Sequence, residues 1–311
     1  MEYRQLGGSG TRVSAVGLGG NTFGRYCDEA QTARVIHRAL DLGINHIDTA
    51  DVYSRGVSEQ HIGKAIAGRR SEVVLATKVG NQMGDGPNDR GLSYRRLVAS
   101  CESSLRRLGT DYIDLYYLHR PDPTTRLDES VRALDDLVRQ GKVRYVGISN
   151  YPAWQACEAL WAADRRGYAP PVVTQNRYNV LDRALESELL PFCRAHGVGI
   201  VPYSPLGGGM LTGKYRPGES VPAGVRGHNN PGFQQQLTDR NLASVGRLES
   251  FSRDHGHTVG ELAISWLLSR PEVCSVIAGA TQPEQIDANA AAASWALRAD
   301  DLKAIDELLA G

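Results

Sequence analysis

The chain has 311 residues, in which 35 Lys and Arg balance 35 Asp and Glu for a formal net charge of zero. No basic or acidic run breaks that balance, which argues against nucleic acid or an anionic membrane surface as partner and leaves a small molecule. No stretch nears the ~18 uninterrupted apolar residues of a spanning helix, and no charged segment leads into an apolar one at the start, so neither a membrane span nor a secretory leader is expected. Cys27, Cys101, Cys157, Cys193 and Cys274 include no C-x-x-C pair and read as free thiols in a reducing, cytoplasmic setting. Nothing in the sequence speaks to oligomeric state.

In chain order, residues 3–6 and 12–14 flank the turn Gly7-Gly8-Ser9-Gly10 and predict a β-hairpin. Short apolar runs follow at 15–18, 45–48, 73–78, 112–118, 143–149, 172–176, 199–203 and 276–278. Between them lie helical periodicities such as Ala33, Ile36, Ala39, Leu40 and Leu97, Cys101, Leu105, Leu108. Asp28 with Gln31 and Thr258 with Glu261 have the spacing of capping boxes, and Gly43 stands where a helix C′ residue is wanted. Trp154, Trp161, Trp266 and Trp295 fall in helical segments and are expected to pack. The stripe Leu302, Ile305, Leu308, Leu309 is expected to face the core.

Eight strands alternating with helices fit either a doubly wound sheet or a closed barrel. The segment Gly17-Leu18-Gly19-Gly20-Asn21-Thr22 lacks the G-x-G-x-x-G spacing of the doubly wound dinucleotide folds, and no helix is expected at its last glycine. Polar residues end nearly every strand run, instead of gathering at one switch point. The expectation is therefore an α/β fold of (β/α)8 TIM-barrel type, with an N-terminal hairpin and extra C-terminal helices, residues 1–311 forming one domain. The irregular stretch from Ser204 to about Leu237, rich in Gly, Pro and Asn, follows the seventh strand and can cross the rim.

Strand ends at the C-terminal rim of such a barrel carry the chemistry. Here they bring Asp48 and Tyr53, Lys78, and His119. Lysine is scarce, occurring only at positions 64, 78, 142, 214 and 303, so one at a strand end stands out. A phenol, a cation beside it, a carboxylate for that cation and an imidazole suffice to protonate a carbonyl oxygen. Lys78 alone would also suit a Schiff-base aldolase. Asp51 is expected to support the loop that carries Tyr53. His255-Gly256-His257 has too few neighbouring ligands for a metal site, and none is expected.

The runs Gly43-Ile44-Asn45-His46-Ile47-Asp48-Thr49-Ala50, Leu115-Tyr116-Tyr117-Leu118-His119-Arg120-Pro121-Asp122, Gly147-Ile148-Ser149-Asn150 and Tyr203-Ser204-Pro205-Leu206 resemble signatures of the aldo-keto reductases, in that family's order and spacing. Leu211-Thr212-Gly213-Lys214-Tyr215 within a long seventh loop resembles the branch of bacterial reductases and potassium-channel β subunits. The resemblance implies a barrel that binds an extended nicotinamide dinucleotide. It gives Tyr53 the role of acid, Lys78 that of acidifying the phenol, Asp48 that of pairing with Lys78, and His119 that of orienting the carbonyl. It assigns Ser149, Asn150 and Gln175 to the carboxamide and Tyr203 to a stack on the nicotinamide. Gly20, Asn21, Ser204 and Leu206 join the cofactor groove, while Gly279, Thr281, Gln285 and Asn289 take the adenosine end. In place of the basic residues that many members carry at 279, 282 and 285, Lys214 and Arg226 are the candidates for a 2′-phosphate. NADPH is therefore expected, with NADH the alternative. Asn21, Val52 and Arg120 make a polar substrate pocket suited to a sugar-like carbonyl. A sugar dehydrogenase running in the oxidative direction and a slow, cofactor-holding regulatory subunit are the other readings.

Overall fold

The computed structural model describes residues 1–216, 218, 219, 221 and 231–310. It opens with the antiparallel pair β1 (Tyr3–Gln5) and β2 (Arg12–Ser14). Eight parallel strands follow: β3 (Val16–Gly19), β4 (His46–Asp48), β5 (Val74–Val79), β6 (Ile113–Leu118), β7 (Val143–Ser149), β8 (Pro171–Gln175), β9 (Gly199–Ile200) and β10 (Val276–Gly279). The helices between and after them are α1 (Glu29–Asp41), α2 (Val57–Ala65), α3 (Tyr94–Leu108), α4 (Leu127–Arg139), α5 (Ala153–Arg166), α6 (Leu189–His196), α7 (Pro231–Gln234), α8 (Asp239–Asp254), α9 (Val259–Leu268), α10 (Pro283–Ala292) and α11 (Ala299–Ala310). No helix among the described residues is long and apolar enough to cross a membrane.

Strands pair in the order β10-β3-β4-β5-β6-β7-β8-β9, each parallel to the next. The sheet closes where Ile200 bridges Val273 and Tyr203 bridges Ile277, with Ile277 N donating to the Pro202 carbonyl at 2.9 Å. This is the expected (β/α)8 barrel. The run at 199–203 is regular only over its first two residues, because Pro202 has no N–H for the ladder and the chain continues through single bridges. The hairpin stops the N-terminal end of the barrel, where Leu6 and Val13 join the interior side chains Ala76, Leu115, Tyr117, Val173, Val201 and Ile277.

Caps account for the helix limits. The Asp28 side chain accepts from Gln31 N at the start of α1, and Thr258 with Glu261 forms a full capping box on α9. The Asp28–Gln31 pair is only half a box, since the Gln31 amide donates across to the Thr281 carbonyl at 2.6 Å and ties α1 to the segment before α10. Gly43, with φ of 78°, turns the chain out of α1 as expected. A single 3-10 turn does begin at Gly20, short of a phosphate-binding helix. Trp266 is fully buried, but Trp154 and Trp161 are 65% and 57% exposed. Helix α5 buries Ala156, Ala159 and Ala163 instead, so its small residues face the barrel and its large ones do not. On α11, Ile305 is buried and Leu302 and Leu309 pack against the core.

Period-two alternation along the strands decides what enters the barrel. Ala76 and Lys78 point inward from β5, and Leu115 and Tyr117 from β6, while Leu75, Val79, Tyr116 and Leu118 pack outward against helices. Tyr117 fits only because residue 147 is glycine: a Cβ there would stand 2.5 Å from Tyr117 Cε1 and 3.2 Å from Val173 Cγ2. Gly147→Ala should therefore displace a fully buried ring and destabilise the protein by about 1–3 kcal/mol, as overpacking does. Urea unfolding with an unchanged midpoint would show that the interior has slack there.

Candidate active site

Three inward strand ends meet at the C-terminal rim. Lys78 comes from β5, Asp48 from β4, and His119 from the first residue after β6. The Lys78 side chain has no solvent exposure, and its Nζ donates to Asp48 Oδ1 at 2.5 Å and to the Thr49 carbonyl at 2.8 Å. The second Asp48 oxygen accepts from Gln175 Nε2 at 2.8 Å. Burial by itself lowers the ammonium's pKa, but the Asp48 carboxylate and the Tyr53 oxygen outweigh it and hold the value above that of a free lysine. A positive charge is thus fixed in a dry site. It lies 5.1 Å from the centre of the Tyr53 ring and 5.8 Å from that of Tyr117.

Tyr53 is carried by a tight 3-10 turn, Tyr53–Gly56, in which Ser54 and Arg55 both have positive φ (49° and 54°). Side chains other than glycine seldom adopt that conformation, and it is held here by Ser54 Oγ donating to the Phe23 carbonyl and by Asp51 N donating to the Lys78 carbonyl. Asp51 sits under this turn, 3.2 Å from Arg96 of α3. Behind it, buried Glu59 of α2 receives Thr77 Oγ1 and Arg107 Nε, both at 2.6 Å.

His119 meets the Tyr53 ring edge-on, with centroids 5.9 Å apart and planes at 78°. Its Nδ1 lies 3.0 Å from Asn81 Nδ2. Burial, then the Lys78 and Arg120 cations, push its pKa down to about 3, so the ring is neutral. A phenol, a fixed ammonium and a neutral imidazole around one opening can deliver a proton to an oxygen atom while stabilising charge that develops on it.

That opening leads into one cleft of about 1290 Å³. Asp48, Tyr53 and His119 line it together with Asn21 and Arg120. Lys78 lies beneath the lining, and Val52, expected in the substrate pocket, is not on the wall. Ser149, Asn150, Gln175 and Tyr203 are on the same wall. Asn150, at φ of 62°, donates to the His119 carbonyl at 3.0 Å and accepts from the Tyr203 hydroxyl at 2.8 Å. Gly20, Ser204, Leu206 and Lys214 continue the wall, and Lys214 has no ion-pair partner among the described residues. Arg226 lies outside the described residues. Gly279 and Thr281, just before α10, and Gln285 and Asn289, on it, also line the cleft. The Gln285 side-chain oxygen Oε1 accepts from Thr281 N at 2.7 Å, and Gln285 completes a capping box with Gln282. A helix N-terminus on the wall fits a phosphate, and Lys214 elsewhere on the same wall adds a cation; a cleft this large with side-chain amides along it fits a dinucleotide. No group of three His, Cys, Asp or Glu positioned as metal ligands occurs among the described residues. His257 instead stacks on Trp295 at 4.0 Å.

The strand-end residues were readable in sequence, but Asn81, Tyr117, Glu59 and the second partner of Asp48 were not. Asn81 stands three positions past Lys78, and the only signal for it was its place as the next polar side chain leaving the same strand.

The buried titratable groups give acid stability a definite shape. His46, fully buried on β4, is pushed down to about 4 by burial, with Lys78 adding to and Asp48 opposing the shift. Folded His46 and His119 are neutral where the unfolded chain would bind protons, below about pH 6.5. Their stabilising share is present above that pH and lost as the pH falls through 4 and 3. Asp51 runs the other way: burial, aided by Glu59 and opposed by Arg96 and Arg107, raises it to about 7. Its share is complete below about pH 4 and lost as the pH rises through 7. Asp51→Asn should then raise Tm more at pH 8 than at pH 5. An equal change at both values would mean that the carboxyl is not protonated in the fold.

The model of the aldo/keto reductase family matches residues 15–310. The chain is 40% identical over 298 residues to a probable voltage-gated potassium channel β subunit of Arabidopsis thaliana, covering 93% of this chain and 90% of that protein. It is 35% identical to the L-glyceraldehyde 3-phosphate reductase of Escherichia coli K12, covering 93% and 86%. It is 34% identical to the aldo-keto reductase YhdN of Bacillus subtilis, covering 99% and 94%. Together with a (β/α)8 barrel and a large rim cleft, these likenesses place the chain: it belongs to the aldo/keto reductase family and is an NAD(P)H-dependent oxidoreductase acting on carbonyls.

Proposed function

We propose that the protein, acting as one unit over residues 1–311, reduces a short hydroxylated aldehyde or ketone with NADPH in the cytoplasm. The observation that carries this reading is the buried Lys78–Asp48 pair under Tyr53, with a neutral His119 at the ring edge. NADPH, when bound, supplies the hydride. The protein then has to orient the carbonyl and give it a proton. Tyr53 donates that proton from its hydroxyl, and the fixed ammonium of Lys78 stabilises the phenolate left behind. Asp48 keeps Lys78 charged, and Gln175 holds Asp48. His119, neutral, can donate a hydrogen bond to the carbonyl oxygen without competing for the proton. Asn21 and Arg120 make the cleft wall polar, and the likeness to the E. coli L-glyceraldehyde 3-phosphate reductase supports a small, oxygen-rich substrate.

Ser149, Asn150, Gln175 and Tyr203 would hold the nicotinamide end, with Gly20, Ser204 and Leu206 beside them. Gly279, Thr281, Gln285 and Asn289 would hold the adenosine end. Lys214 and Arg226 would meet the 2′-phosphate. The 40% identity to a channel β subunit favours one second reading, a protein that holds cofactor tightly and turns over slowly.

Tyr53→Phe should lower kcat on DL-glyceraldehyde by about 10²–10⁴-fold, the span of a general acid, and leave the NADPH Kd unchanged. Wild-type turnover in that variant would refute the mechanism. Lys214→Met should weaken NADPH about tenfold or more, as loss of a charged hydrogen bond does, and leave NADH binding unaltered. Equal loss for both cofactors would remove Lys214 from the 2′-phosphate.

A further inference from the structure

The chain leaves β5 through Val79 and Gly80 and delivers Asn81 to the back of the His119 ring. Gly80 makes that possible at φ of 131°, where a Cβ would stand 2.8 Å from Leu92 Cδ2. His119 is held by its backbone on both sides: its N donates to the Val79 carbonyl at 2.8 Å and its carbonyl accepts from Asn150 Nδ2 at 3.0 Å. The ring then has one polar partner among the described residues, the Asn81 amide nitrogen, 3.0 Å from Nδ1. The other ring nitrogen, Nε2, has no hydrogen-bond partner among them, and the residue lines the cleft.

A neutral imidazole carries one N–H and one lone pair. An amide NH2 can only donate, so it requires the lone pair at Nδ1 and leaves the hydrogen on Nε2. With the hydrogen on Nε2, the ring offers a donor to a carbonyl oxygen. With it on Nδ1, the ring would present a lone pair to that oxygen, and the two would repel. We infer that Asn81 is a positioning residue, which fixes His119 as its Nε2–H tautomer and so makes it a hydrogen-bond donor to the substrate carbonyl. The inference rests on the carbonyl-reductase reading above and adds to it a residue that does not line the cleft. Burial and the two cations around the ring act in the same direction, since they exclude the imidazolium that would donate from both nitrogens.

The test is the two-bond ¹⁵N–¹H correlation spectrum of the full chain with ¹⁵N-labelled histidine and NADPH bound, the His119 signal being assigned by its absence in His119→Gln. The wild type should show a neutral ring with the hydrogen on Nε2 from pH 8 to pH 5. Asn81→Asp puts an acceptor in place of the donor and should move the hydrogen to Nδ1 or produce the imidazolium. Turnover of DL-glyceraldehyde should then fall at least about tenfold in kcat with little change in NADPH Kd, and kcat/KM should acquire a new pH dependence near neutrality. Asn81→Leu should lower kcat without that pH dependence. A wild-type ring protonated on Nδ1 would overturn the inference, as would one tautomer and one kcat shared by wild type and Asn81→Asp. The wild-type spectrum decides the tautomer even if the variants fail to fold. A wild type that shows the Nε2–H ring but reduces no carbonyl would bring down the reductase reading and leave Asn81's hold on the tautomer standing.

Discussion

Everything at the rim depends on keeping one ammonium charged where no water reaches it. Transferring a lysine into a dry interior costs several kcal/mol unless its charge is paired and its hydrogens are bonded. Lys78 meets that demand with a carboxylate and a backbone carbonyl, and the carboxylate is itself bonded by Gln175 from across the barrel. Asp48, Lys78 and Gln175 belong to three different strands. The pair can therefore exist only when β4, β5 and β8 are in register, so the site and the fold form together.

Closure of the barrel sets that register, and the two-residue pleat does the rest. With Lys78 opposite Tyr117, and Tyr117 opposite Gly147, alternate residues of successive strands reach the interior at the same height. The Tyr117 ring gives the site an aromatic floor because Gly147 leaves it room. A close-packed interior of this kind lets a substrate approach from above and keeps water from below.

The loop bearing Tyr53 is less comfortable. Two non-glycine residues in left-handed geometry follow it directly, and beneath it four charged side chains, Asp51, Glu59, Arg96 and Arg107, share a nearly dry space. Such strain persists when its surroundings over-determine it, and it is commonly found where a side chain has to be aimed. Asp51 does support this loop, as its position in the sequence suggested. It does so as a buried carboxyl pushed towards neutrality, with Arg96 countering part of the shift.

Fold class, strand order and the four rim residues were legible because each rests on a local pattern: alternating apolar runs, caps such as Thr258–Glu261, and polar residues at abrupt strand ends. Resemblance to a known family then named the cleft-lining residues from Gly20 to Asn289. Local pattern failed where only neighbours in space matter. Trp154 and Trp161 face solvent because alanines sufficed on the inner side of α5, and Gln31 left its expected cap for Thr281, more than two hundred residues away in sequence. The sequence by itself determined that a phenol, an ammonium, a carboxylate and an imidazole would reach one rim, since strand ends converge in any barrel. The tertiary structure alone decided their states. Charge on Lys78, neutrality of His119 and the amide at its Nδ1 depend on burial and on partners from other strands, and desolvation and hydrogen bonding act through space, not along the chain.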